Sequence, residues 1–139
     1  MRSCTTPCAI AFALAAFTGA IAAQSPGLTR TIVTRADVSV PGREAVIAHV
    51  ELAPGSVAGW HTHPGDEISH VNEGEVTLMV AGQPPRKFGA GQGFVIPAGV
   101  VHSASNEGSS TARVVGVYVV EKGKPLASPA SAPAPWAGF

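Results

Sequence analysis

Between Arg30 and Glu121 the chain is a series of short Val/Ile-rich runs, each cut off by Gly, Pro or Asn before a helical period can establish itself. Runs of that length and punctuation are strand signals, and their even spacing predicts an all-β sandwich or barrel. The predicted strands are Thr29 to Thr34, Ala45 to Leu52, Gly59 to His63, Glu67 to Asn72, Glu75 to Ala81, Arg86 to Phe88, Gly93 to Ile96, His102 to Ser105 and Arg113 to Val120. Pro54-Gly55, Pro64-Gly65-Asp66, Glu73-Gly74, Gly82 to Pro85, Gly89 to Gly91 and Pro97-Ala98-Gly99 read as turns between them. Each supplies a fixed φ or a residue that tolerates positive φ.

A chain of 139 residues has room for one domain, placed here at residues 27–122. Residues 1–23 read as a cleavable signal peptide: Arg2 is the positive start, Ala9 to Phe17 the apolar stretch, and Ala20 to Ala23 the small-residue cleavage region. The apolar stretch is shorter than the roughly 20 residues that span a bilayer, so export to an extracytoplasmic space, periplasmic or secreted, is expected rather than a membrane anchor. Both cysteines, Cys4 and Cys8, fall inside this leader. The mature chain then has no thiol, which excludes disulfide stapling, cysteine catalysis and cysteine-ligated metal. Charge is balanced at nine basic and nine acidic residues, with no lysine run or basic patch to suggest nucleic acid or an anionic membrane surface. From Gly123 the composition turns to Ala, Pro, Ser and Gly, and residues 123–139 are expected to be a disordered tail.

Chemistry concentrates in four side chains: His61, His63, Glu67 and His102. His61 and His63 flank one Thr, so on a strand both face the same side, roughly 7 Å apart along the backbone, where one ion can bridge them. On a helix the same spacing would splay the rings. Strand parity turns His70 away from Glu67, and His49 sits in an apolar run, so neither is expected to join the group. Trp60 falls on the face opposite His61 and reads as packing, while Tyr118 and Met79 read as barrel filling.

The residues around the histidines extend into a longer pattern. Gly55, His61-Thr62-His63, Glu67 and Gly74 form one block, and Gly91, Pro97-Ala98-Gly99, His102 and Asn106 a second. Together they resemble the two motifs of the cupin superfamily over about Arg43 to Val120, with a short gap between motifs as in small single-domain members. The resemblance implies a small jelly-roll β-barrel with a metal held inside by His61, His63, Glu67 and His102. Three neutral imidazoles and one carboxylate suit a divalent ion such as Mn, Fe, Cu, Ni, Co or Zn, and leave positions open for water or substrate. The ion would keep a net charge of about plus one, which favours an anionic or enolisable small-molecule ligand. Because histidine must be unprotonated to bind, metal release is expected as pH falls below about 6.

Cupins include dioxygenases, decarboxylases, isomerases and binding proteins, so the resemblance leaves several activities open. An isomerase or decarboxylase needs a second acid or base, yet Asp66, Glu73, Glu75 and Glu107 all fall at predicted turns or strand edges. The expectation is a metal-dependent dioxygenase, similar to quercetinase-like cupins, acting on a small enolisable or phenolic substrate, with Glu67 doubling as ligand and proton acceptor. The competing expectation is a non-catalytic metal or small-molecule binding module. Free strand edges make a homodimer expected.

Overall fold

The computed structural model describes residues 25–134. The leader expected at residues 1–23 and the aromatic pair Trp136 and Phe139 lie outside the described residues. Every regular element among the described residues is a strand: β1 (Leu28–Asp37), β2 (Arg43–Leu52), β3 (His61–Thr62), β4 (Gly65–Glu73), β5 (Glu75–Val80), β6 (Arg86–Gly89), β7 (Gly93–Ile96), β8 (His102–Ser105), β9 (Ala112–Glu121) and β10 (Ser128–Pro129).

The strands form two five-stranded sheets, ordered β1-β2-β9-β4-β7 and β10-β3-β8-β5-β6, with antiparallel pairing throughout. This is the jelly-roll arrangement of an all-β barrel. Alternation sets which side chains turn inward. Along β9, Ala112, Val114, Gly116, Tyr118 and Val120 are buried while the residues between them are more exposed. Along β4 the inward positions are Gly65, Glu67, Ser69 and Val71, so two polar side chains occupy a face that should be apolar. The main core, including Leu52, Val71, Val76, Leu78 and Phe88, fills one part of the interior. A second cluster of Val46, Ala48, Tyr118 and Val120 fills another, and Leu126 packs against it.

Two expectations are corrected. Pro64-Gly65-Asp66 is not a turn, because Gly65 opens β4 and pairs with Val120. Glycine is needed there for close approach: a Cβ would run into the Val119 carbonyl oxygen and the Val120 backbone. The Ala/Pro/Ser-rich tail is also not structureless over its described part. Ser128 and Pro129 pair with Thr62 and His61, and the Ala130 N–H donates to the Trp60 carbonyl at 2.9 Å. The prolines do not prevent this, because β10 is an edge strand where a missing donor can face away from the ladder. Leu126 supplies the apolar anchor that composition alone concealed.

Candidate metal centre

The four candidate residues come from three strands and one connection. His61 lies on β3, His63 just beyond it, Glu67 on β4 and His102 at the start of β8. His61 and His102 are direct cross-strand partners, while Glu67 lies opposite Tyr118 and Ile96 in the other sheet. The site is therefore closed by two sheets, with the imidazoles on one wall and the carboxylate on the other. Ring centroids stand 4.8 Å apart for His61 and His63, 4.3 Å for His61 and His102, and 5.1 Å for His63 and His102. One potential ligand atom from each of the four residues lies within 4.8 Å of the others, a group able to hold a metal ion.

Hydrogen bonding orients these atoms. Each imidazole places Nδ1 against a backbone carbonyl: His61 on Gly59 at 2.9 Å, His63 on Leu126 at 2.6 Å and His102 on Val100 at 2.9 Å. A carbonyl can only accept, so Nδ1 carries the proton in all three rings and Nε2 of the neutral ring presents a lone pair. His63 Nε2 lies 2.9 Å from Glu67 Oε2, yet the two are not aligned for a hydrogen bond and His63 Nε2 has no other partner. His102 Nε2 is 3.3 Å from the same oxygen. Lone pairs converging on a carboxylate in a buried place repel one another unless a cation sits among them. That chemistry, with every ring held through its other nitrogen, fits a divalent metal held by His61, His63, Glu67 and His102.

Ser69 donates its hydroxyl to Glu67 Oε1 at 2.6 Å, fixing the carboxylate plane. Burial opposes the Glu67 charge, but positive charge at the His102 and His63 Nε2 positions, carried by a proton or by a cation in its place, and the Ser69 hydroxyl outweigh it and hold the carboxyl well below the usual carboxylate range. His61 is pushed down to about 4, first by burial and further by the neighbouring His102 and His63 rings, against the opposing bond to the Gly59 carbonyl. Tyr118, only 1% exposed, is pushed up by burial and by the Glu67 charge, so it stays a neutral phenol.

The remaining expectations can be placed one by one. His70 is exposed and bonded to Asn72, and His49 is exposed on β2. Asp66 binds the Ala98 N–H, while Glu73 pairs with Arg113, and Glu75 and Glu107 with Lys87, all at the surface. Asn106 closes the second motif by bonding Leu52, Ser110 and Gly108 backbone atoms. Tyr118 is more than filler: its ring is 4.9 Å from that of His63, and it lines a cavity with His61, Glu67 and His102. Arg30 lines the same cavity and was not anticipated. Its signal was available, since it shares strand parity with Leu28 on an inward face.

A jelly-roll barrel whose interior carries three oriented imidazoles and a carboxylate is the class defined by fold and site together. Residues 48–120 match the family model described as the cupin domain, and the chain belongs to that family. Nectarin-1 from Nicotiana langsdorffii x Nicotiana sanderae is 33% identical over 129 residues, covering 81% of this chain and 54% of nectarin-1. The chain thus spans about half the length of the curated relatives it matches first. An uncharacterized conserved protein with a double-stranded beta-helix domain from Klebsiella pneumoniae superposes with a TM-score of 0.64 at 20% identity, over 77% of this chain and 87% of that one, and shows the shared fold. Oxalate oxidase in complex with the substrate analogue glycolate superposes with a TM-score of 0.56 at 29% identity, over 66% of this chain and 50% of that one.

Proposed function

We propose that the protein is an exported metal-dependent enzyme of dioxygenase type, acting on a small enolisable substrate inside the barrel. The observation that carries this reading is the convergence of three Nε2 lone pairs and the Glu67 carboxylate on one point of a mainly apolar cavity. A redox-active metal bound there would supply substrate activation and electron transfer to dioxygen. The chain's own part is to orient the rings through backbone carbonyls, to exclude bulk water with Val50, Leu52, Val76 and Leu78, and to offer a proton acceptor. Glu67 is the one carboxylate among the described residues lining the cavity, so a substrate hydroxyl proton would pass to it. Its low proton affinity makes it a ligand first and a weak base second.

The cavity interior has space for roughly three water-sized positions, which favours small enolisable acids or diketones over large phenolic ring systems. Acid-base chemistry of isomerase or decarboxylase type has less support, because Asp66, Glu73, Glu75 and Glu107 all stand outside. The relative named as an oxalate oxidase supports oxygen chemistry at this kind of site. Protein loaded separately with Mn, Fe, Cu, Ni, Co or Zn is to be tested for oxygen uptake against small enolisable acids, diketones and hydroxylated aromatics. Uptake with a redox-active metal and none with zinc is the expected result. Silence in every combination would overturn the enzyme reading and leave a binding module.

A further inference from the structure

A second cavity opens at the seam of the barrel. β6 and β7 are edge strands of the two sheets, and among the described residues no pairing joins one to the other. Beside this seam lies a space of about 190 Å³, against about 40 Å³ beside the metal group. Its walls are largely hydrocarbon, from Leu78, Val80, Phe88, Phe94, Ile96 and Val100. The Phe88 and Phe94 rings stand 5.1 Å apart and tilted at 53°, a pair against which a further ring can pack. Leu78 and Phe94 also line the metal cavity, so the two spaces share a wall.

Arg86 brings a positive charge to this apolar space. It pairs with Leu78 across β5 and β6 and shares strand parity with Phe88, so its side chain leaves the backbone on the inward side. Its guanidinium carbon lies over the Phe88 ring, 5.0 Å from the centroid. Attraction to a ring face uses up no conventional hydrogen bond, so the N–H groups stay available to a ligand. No carboxylate among the described residues pairs with Arg86, whereas Lys87, which faces the other way, meets Glu75 and Glu107.

We propose that this cavity binds a small aromatic monocarboxylate, its ring among Phe88, Phe94 and Val100 and its carboxylate on Arg86. Size sets the first part: about 150 Å³ of apolar space is enough for a benzene ring, so 190 Å³ takes one ring and a short arm. Charge sets the second, because a guanidinium fork receives both oxygens of a carboxylate in parallel bonds. Gln83 at the mouth adds a neutral donor. A plain hydrocarbon would forgo Arg86, and an inorganic anion would forgo the rings. None of His61, His63, Glu67 and His102 lines this cavity, so the proposal stands whatever metal or reaction those residues support.

Methyl NMR of zinc-loaded full-length protein, titrated with phenylacetate, its neutral isostere phenylacetamide and acetate, tests this. Phenylacetate should shift the Val95 and Val100 methyls, which line this cavity, and leave in place Val50 and Val114, which line the metal cavity. It should bind about threefold to fivefold more tightly than phenylacetamide, the range of a solvent-facing ion pair, and acetate should leave Val95 and Val100 unmoved. Arg86→Gln should lose the preference for the acid. Lys87→Gln, which removes the same charge from the other face, should keep it. Val100→Phe, which fills the space, should abolish binding. Arg86 is exposed, so Arg86→Gln keeps the test intact should Val100→Phe fail to fold. Shifts confined to Val50 and Val114, equal affinity for acid and amide, or an undiminished preference in Arg86→Gln would overturn the proposal. Equal losses in Arg86→Gln and Lys87→Gln would reduce the contact to general attraction and overturn it as well.

Discussion

Among the four metal-site residues, His61 is the one whose burial opposes protonation most visibly, and this sets how the protein should respond to acid. Its ordinary value of 6.5 is pushed down to about 4, first by burial. Between those values the unfolded chain binds a proton at this residue that the folded chain refuses, so stability is fully present above about pH 6.5 and declines as pH falls toward 4. Glu67 adds a second loss below the ordinary carboxylate range, because its folded carboxyl is held anionic. The melting temperature of metal-free protein should therefore fall across pH 6.5 to 4, and His61→Gln should flatten that slope. A melting temperature independent of pH over the window would contradict the assigned burial. Metal release, expected from unperturbed histidine near pH 6, should extend toward the lower end because His61 resists protonation.

At the scale of elements, the C-terminal strap carries the least anticipated contact. The Leu126 carbonyl accepts from His63 Nδ1, and the Leu126 side chain packs on Val46, Ala48, Tyr118 and Val120. Together with β10 pairing to β3, this fixes the ring that aims Nε2 at Glu67. Removing an outer partner of a ligating histidine commonly weakens metal binding about 10- to 100-fold. A chain ending at Gly123 should show a loss of that size in competition with a chromophoric chelator. Leu126→Ala, which keeps the carbonyl and trims only packing, should show a smaller one. Equal affinity in full-length and shortened chains would mean that the strap does not orient the ring.

For the molecule as a whole, β1 is an edge strand among the described residues, with Ile32 45% and Val33 54% exposed. A register shift between Ile32 and Thr34 interrupts the pairing of β1 with β2, and among the described residues no strand pairs with the opposite edge. Edges of this kind pair with another chain unless blunted, which supports the homodimer expected from the sequence. Sedimentation should give a dimer for the wild type at micromolar concentration and a monomer for Val33→Glu. A monomeric wild type would remove the edge-pairing proposal.

Strand content, nearly all strand positions and the four side chains that the fold brings together were readable in the chain itself. Periodicity and turn residues act locally, and His61-Thr62-His63 brings its two rings to one side through backbone alternation alone. Gly65 was misread because a glycine needed for close approach and one needed for a turn look identical until the neighbouring strand is in place. The tail was misread because composition records the cost of ordering prolines and not the apolar surface waiting for Leu126. Arg30 could have been noticed by parity, but only the pairing of β1 with β2 and the closure of one sheet over the other bring it to the metal group. Local sequence thus determined the strands and pointed to the four candidate side chains. The tertiary structure decided what stands opposite them, because contacts between residues far apart in the chain depend on how the sheets close.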